Sequence, residues 1–279
     1  MHIAPFDNAN RPVIGPDNPL VPLVYFNIVK LRRGEVFASE VAGYETCIVP
    51  ATGSVDVRVG EVFKGVGLRD TDVWDSQPEG VYVPVGARAE LRCVSDAAEV
   101  FVAGAKFDRV LTPFAVRADA IDMVQYGSDD TKTHRKIKHI LGARYRDRVG
   151  RLLVSELYTV GRGGWSGFPS HKHDTDRLPV ETRHDEAYNF RFRPKHGSGL
   201  QMLQRDEGLA GDAYHIVDGS TVLIDRGYHP CCVLPGYEMY YFTILAGFSQ
   251  RSLVQYFQPA HADQVETIPG IKDMIAKFK

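Results

Sequence analysis

The chain has 279 residues, 44% of them hydrophobic, and a formal net charge of −2. A balance this close to neutral points away from nucleic acid and acidic membrane surfaces as partners. No apolar run is long enough to span a bilayer and no signal-peptide core follows Met1, so the expected location is the cytoplasm. Short apolar runs such as Val81-Tyr82-Val83-Pro84-Val85 and Val100-Phe101-Val102-Ala103, punctuated by Gly and Pro, read as strands of an all-β chain. The length suits two domains, joined in the polar stretch Asp119 to Arg148, so that residues 1–130 and 131–279 form the halves. The basic run Lys132 to His139 reads either as a solvated strand or linker, or as a contact for an anionic substrate or a neighbouring subunit. Ile268 to Lys279 reads as a short C-terminal helix. Cys47, Cys93, Cys231 and Cys232 lack zinc-motif spacing, and we expect four reduced thiols.

The chemistry gathers in the second half. Leu152 to Val160 reads as a strand, and Gly161-Arg162-Gly163-Gly164 breaks it. His171-Lys172-His173 follows; on a strand, side chains two apart share a face, so both imidazoles reach one ion. A polar stretch from Asp174 to His184 leads into a second strand in which Glu186, Tyr188 and Phe190 share a face. His229 lies in the turn Asp225-Arg226-Gly227-Tyr228-His229-Pro230. Three imidazoles and one carboxylate form a ligand set for one divalent metal ion, whether zinc, manganese, iron or nickel. Ligands converging from separate strands imply a barrel interior.

This spacing resembles the cupin superfamily. Gly164, His171, His173, Glu186 and Gly197 or Gly199 fill the places of its first motif. Gly219, Asp225, Gly227 and His229 fill the second, with Asp225 where proline is usual. More narrowly, the chain resembles the 5-deoxy-glucuronate isomerase family of bacterial inositol catabolism. That likeness rests on Leu153 to Thr159, Trp165-Ser166, Pro169 to Asp174, the insert Asp176 to Glu181, Gly227 to Pro230, Tyr240-Tyr241-Phe242, Ala246-Gly247 and Pro259-Ala260-His261. The resemblance implies two jelly-roll-like β-barrels, a bicupin. It also implies a metal-dependent aldose–ketose isomerase that converts 5-deoxy-glucuronate to 2-deoxy-5-keto-gluconate. Cupin sheets often pair across subunits, so a homo-oligomer is a reasonable expectation.

The first half echoes the second. Tyr44 to Val49 resembles Asp185 to Phe190, and Pro84 to Arg88 resembles Asp225 to His229; 186 − 45 and 229 − 88 both give 141. Two anchors at one spacing argue for a duplicated unit. Arg88 replaces His229 in the first copy and no H-x-H precedes Glu45, so metal is expected only in the second.

Isomerisation removes a proton next to an aldehyde and builds negative charge on an enediol, which a divalent ion stabilises. A general base contributes roughly 10²–10⁴ in rate. Four residues are candidates for base or substrate binder. Glu156 interrupts an apolar strand, and reads equally as an outer-face surface position. Tyr188 shares the face of Glu186 but suits a plain core role too, and the facing of Tyr241 is open. Arg183 suits either the substrate carboxylate or a surface salt bridge. An iron dioxygenase, a related uronate ketol-isomerase and a non-catalytic sugar-acid-binding bicupin are the competing expectations.

Overall fold

The structure is a computed structural model that describes residues 1–277. It is built from strands, with two short α-helices, Gln264–Thr267 and Ile271–Lys277, near the end of the chain. Phe278 and Lys279, the last two residues of the expected C-terminal helix, lie outside the described residues. Two compact units form. One gathers Met1–Phe6, Met123–Ile137 and Ser155–Lys279; the other gathers Asp7–Asp122 and Lys138–Val154. The division is an exchange of segments rather than one cut in the chain.

The sheets carry the duplication in their order. In the second copy, Thr221–Ile224, His184–Arg193, Glu238–Gly247 and Leu152–Thr159 lie side by side. In the first, Gly80–Val83, Tyr44–Val59, Ala97–Lys106 and Val24–Arg32 follow the same order. Gly80–Val83 and Ala97–Lys106 shifted by 141 coincide with Thr221–Ile224 and Glu238–Gly247. Before the metal motif the shift is 128, taking Val24 to Leu152 and Val36 to Gly164. The difference, 13 residues, is an insertion between Ser166 and Asp185, the stretch that holds His171-Lys172-His173. The corresponding stretch of the first copy, residues 39–43, contains no histidine.

Each copy is a sandwich of open sheets rather than a closed barrel. In the second copy the other layer is Gly164–Ser166, Cys231–Val233, Ser198–Leu203 and Asp212–Val217. In the first, the sixteen-residue strand Tyr44–Val59 serves both layers, pairing early with Ala97–Lys106 and Gly80–Val83, and late with Glu61–Arg69 and Ala89–Cys93. Val55, Val57 and Val59 alternate into a core with Leu91, Val100 and Val102, as a period-two apolar pattern requires. The strand changes partner at a bulge beside Gly53, whose φ is +70°. A Cβ there would stand 2.1 Å from the Ala97 carbonyl oxygen, so only glycine fits.

Glu45, the counterpart of Glu186, is fully buried in the first copy. Its carboxylate accepts hydrogen bonds from the Tyr82 hydroxyl (2.6 Å) and from the backbone N–H groups of Gly150, Arg151 and Leu152 (2.8, 2.5 and 2.8 Å). Arg88 is exposed. One ligand position has become a structural clamp and the other a surface cation.

Candidate metal centre

The strand His184–Arg193 holds Glu186 between Leu245 and Ile224 of its two neighbours, deep in the sheet. The two-residue strand His171–Lys172, paired with Tyr256–Phe257, delivers the first imidazole, and His173 follows directly. His229 comes from the turn after Ile224. Ligand atoms of His171, His173 and His229 lie within 4.8 Å of one another. The Glu186 carboxylate oxygen Oε2 is 3.0 Å from His173 Nε2 and 3.3 Å from His229 Nε2. The four residues paired from sequence spacing thus meet at one point.

Neighbours orient the rings. His229 Nδ1 donates to the Gly227 carbonyl (2.8 Å) and His173 Nδ1 donates to the His184 carbonyl (3.3 Å), which turns both Nε2 atoms inward. Asp174 accepts from the backbone N–H of Gly227 (2.9 Å), tying the insertion to the turn that carries His229. Lys172, facing away from the ligands, is 2.5 Å from Asp174. Burial opposes the charge on Asp174, but Lys172 and its other donors outweigh burial and hold it down at about 2. Glu181 is fully buried and anchors the rest of the insertion, accepting from the N–H of Asp174 (2.8 Å) and from Arg177 (2.7 Å).

The donor set fits a metal ion. His229 Nε2 is buried and completes no hydrogen bond, a cost that coordination would remove. Burial, reinforced by His229 and His173, pushes His171 well below the ordinary histidine range, so it is neutral, as coordination requires. Burial resists ionisation of Glu186, but the hydrogen bond to His173 and the His229 imidazole 3.3 Å away prevail and keep it a carboxylate. Burial likewise lowers His173, but Glu186 outweighs it and raises the imidazole: the proton on His173 stands where a cation would compete.

Beside the ligands lies a small cavity. Tyr188, Tyr241, Thr243, Arg135 and Gln255 supply its polar lining, and Leu157, Leu253 and Met274 its apolar walls. Met274 comes from the helix Ile271–Lys277. The Tyr188 hydroxyl donates to Glu186 Oε2 at 3.0 Å. Tyr241 also faces inward, its ring centroid 4.6 Å from that of Tyr188 and its hydroxyl 2.5 Å from Ser166 Oγ. Burial raises both tyrosines far above their usual range, so each keeps its proton at neutral pH.

Two expected site residues are elsewhere. Glu156 is neither at the cavity nor at the surface: it is fully buried on the opposite side of its strand from Leu157, accepting from the hydroxyls of Tyr158 (2.8 Å) and Tyr240 (3.0 Å). Arg183 is exposed and lies over the Phe248 ring at 4.0 Å, because strand alternation points it away from Glu186's face. Arg135 and Gln255 were missed. Arg135 lies in the run Lys132 to His139, one reading of which was a contact for an anionic substrate, but nothing in the run singles it out; Gln255 carries no signal in the sequence.

All four cysteines are free. No helix among the described residues is long and apolar enough to cross a membrane.

A two-layer β-sandwich repeated along one chain, with imidazoles and a carboxylate converging in one copy, defines a bicupin. A family model described as KduI/IolB matches residues 6–264, and the chain belongs to that family. It is 30% identical over 230 residues to the 5-deoxy-glucuronate isomerase of Listeria monocytogenes, covering 81% of this chain and 82% of that protein. The 5-deoxy-glucuronate isomerase of Geobacillus kaustophilus is 30% identical over 251 residues, 88% of this chain and 87% of its own. Among solved structures, an IolB-like protein of Salmonella typhimurium superimposes with a TM-score of 0.79 at 26% identity, covering 94% of this chain and 93% of that one. Oxalate decarboxylase of Bacillus subtilis, at 10% identity, gives 0.62 over 95% and 82%, a likeness of fold alone.

Proposed function

We propose that this chain is a metal-dependent aldose–ketose isomerase that converts 5-deoxy-glucuronate to 2-deoxy-5-keto-gluconate in inositol catabolism. The observation that carries the reading is the buried quartet His171, His173, Glu186 and His229 beside a small cavity lined by both polar and apolar side chains, in a chain similar to 5-deoxy-glucuronate isomerases over most of its length. These four residues would hold one divalent ion, which when bound supplies a positive charge for the oxygens of an enediol.

The protein's own groups do the rest. Tyr188 and Tyr241 hold their protons at neutral pH and so are not bases; Tyr241 serves as a hydrogen-bond donor to a developing oxyanion, while Tyr188 donates to Glu186. Among the described residues Glu186 is the one carboxylate lining the cavity, and the Tyr188 hydroxyl on its Oε2 fixes that oxygen's direction. The apolar wall of Leu157, Leu253 and Met274 limits water at the reacting carbons. In the reaction the C2 proton leaves and a proton returns to C1; the aldehyde becomes a hydroxymethyl group and the C2 alcohol a ketone, with no external oxidant. Incubation of metal-reconstituted protein with 5-deoxy-glucuronate in heavy water, followed by NMR, tests this. Ketone should appear with deuterium at the former aldehyde carbon; absence of turnover with several divalent metals would refute the substrate.

A further inference from the structure

We infer that Arg135 anchors the substrate's carboxylate and thereby sets a preference for uronates over neutral sugars, an inference that rests on the isomerase reading. Arg135 is 3% exposed and lines the cavity. It forms no ion pair with a carboxylate among the described residues. One guanidinium nitrogen donates to the neutral Ser166 hydroxyl, and its Nε is buried without any partner. Its carbon centre lies 4.7 Å from the centroid of the Tyr126 ring, which fixes the plane of the fork.

A buried cation without a counter-ion is costly, because desolvation is not offset by an opposite charge. Arginine cannot shed its proton to escape that cost. A guanidinium held this way, facing a cavity, is a receptor for a planar anion, and a carboxylate matches its fork with two parallel hydrogen bonds. Other cations of the run are engaged elsewhere: Lys136 lies over the Tyr158 ring at 4.9 Å, and Lys138 donates to the Ser76 carbonyl at 2.8 Å. Position completes the argument. Ser166 joins Arg135 to Tyr241, Tyr241 packs on Tyr188, and Tyr188 bonds Glu186. Metal-ligating side chains and a guanidinium thus line one cavity. A six-carbon uronate carries a group for each, an aldehyde with its neighbouring hydroxyl and a carboxylate.

The test uses metal-loaded wild-type protein, Arg135→Met and Arg135→Lys. Steady-state constants are measured with 5-deoxy-glucuronate and with 5-deoxy-glucose, whose hydroxymethyl group replaces the carboxylate. Binding of gluconate, which has a carboxylate but no aldehyde, is measured by calorimetry. Arg135→Met should raise KM for the uronate about tenfold to a hundredfold, leave kcat and metal content nearly unchanged, and leave the neutral sugar unaffected. Arg135→Lys, which keeps the charge but not the fork, should fall between. If Arg135→Met does not fold, a several-fold rise in KM confined to the uronate in Arg135→Lys supports the anchor. Unchanged KM and unchanged uronate preference in the folded variants would overturn it. If the wild type turns over neither sugar, the isomerase reading fails separately; gluconate binding lost in the variant then still supports the anchor, and equal binding overturns it.

Discussion

Replacing Glu45 by leucine should destabilise the protein without touching metal binding. The carboxylate is fully buried and accepts from three successive backbone N–H groups and the Tyr82 hydroxyl. Leucine is similar in size but accepts nothing. The Leu152 N–H bond is buried, while those of Gly150 and Arg151 are half-buried. An orphaned buried donor costs ~1–3 kcal/mol; the low end for two groups and the middle for Leu152 give about 4 kcal/mol. For a domain of this size that is a fall in Tm of roughly 8–16 °C. Circular dichroism melts give the stability, and a zinc titration well below the transition gives the affinity. A loss under about 1 kcal/mol would refute the clamp. Lost zinc binding with unchanged stability would show instead that Glu45 is a ligand.

Tyr188→Phe removes the hydroxyl on Glu186 Oε2 and should lower kcat by roughly 10- to 1,000-fold with metal content unchanged; near-normal kcat would exclude the donor role. Bound metal should be lost as pH falls. His173 must be neutral to ligate, and its pKa is raised above 6.5, so affinity is full above that raised value and declines as pH passes down through it. His171, already lowered, stays neutral through the same range and contributes little to the loss. Metal analysis after dialysis at about pH 5 and pH 7.5 checks this, and equal occupancy would count against it. Arg183→Ala should change kcat/KM less than about twofold, since the side chain is exposed on Phe248; a large loss would return it to the site.

The convergence of His171, His173, Glu186 and His229 was legible because its spacing reflects extended-chain geometry: two imidazoles two residues apart at the end of a short strand, and Glu186 and Tyr188 on one face of another. The duplication was legible for a related reason, since strands facing a common core keep their spacing, and 141 survives in two whole strands. The insertion was harder to read. The offset of 128 becomes visible only when Val24–Arg32 and Leu152–Thr159 are seen in the same place in their sheets. Glu156 and Arg183 failed because alternation shows which residues share a face but not which face meets the cavity. Glu156 further defeats the rule that a buried acid marks a reactive site, as two tyrosine hydroxyls satisfy it within the core. Gln255 reaches His171 through the pairing of Tyr256–Phe257 with His171–Lys172, a contact across more than eighty residues.

The most direct test is turnover of 5-deoxy-glucuronate by metal-reconstituted wild type and His229→Ala, with bound metal quantified in both. The account predicts isomerisation by the wild type, and joint loss of metal and turnover in the variant, whose fold and melting should stay close to wild type. A His229→Ala protein that isomerises at the wild-type rate while binding no metal would contradict it.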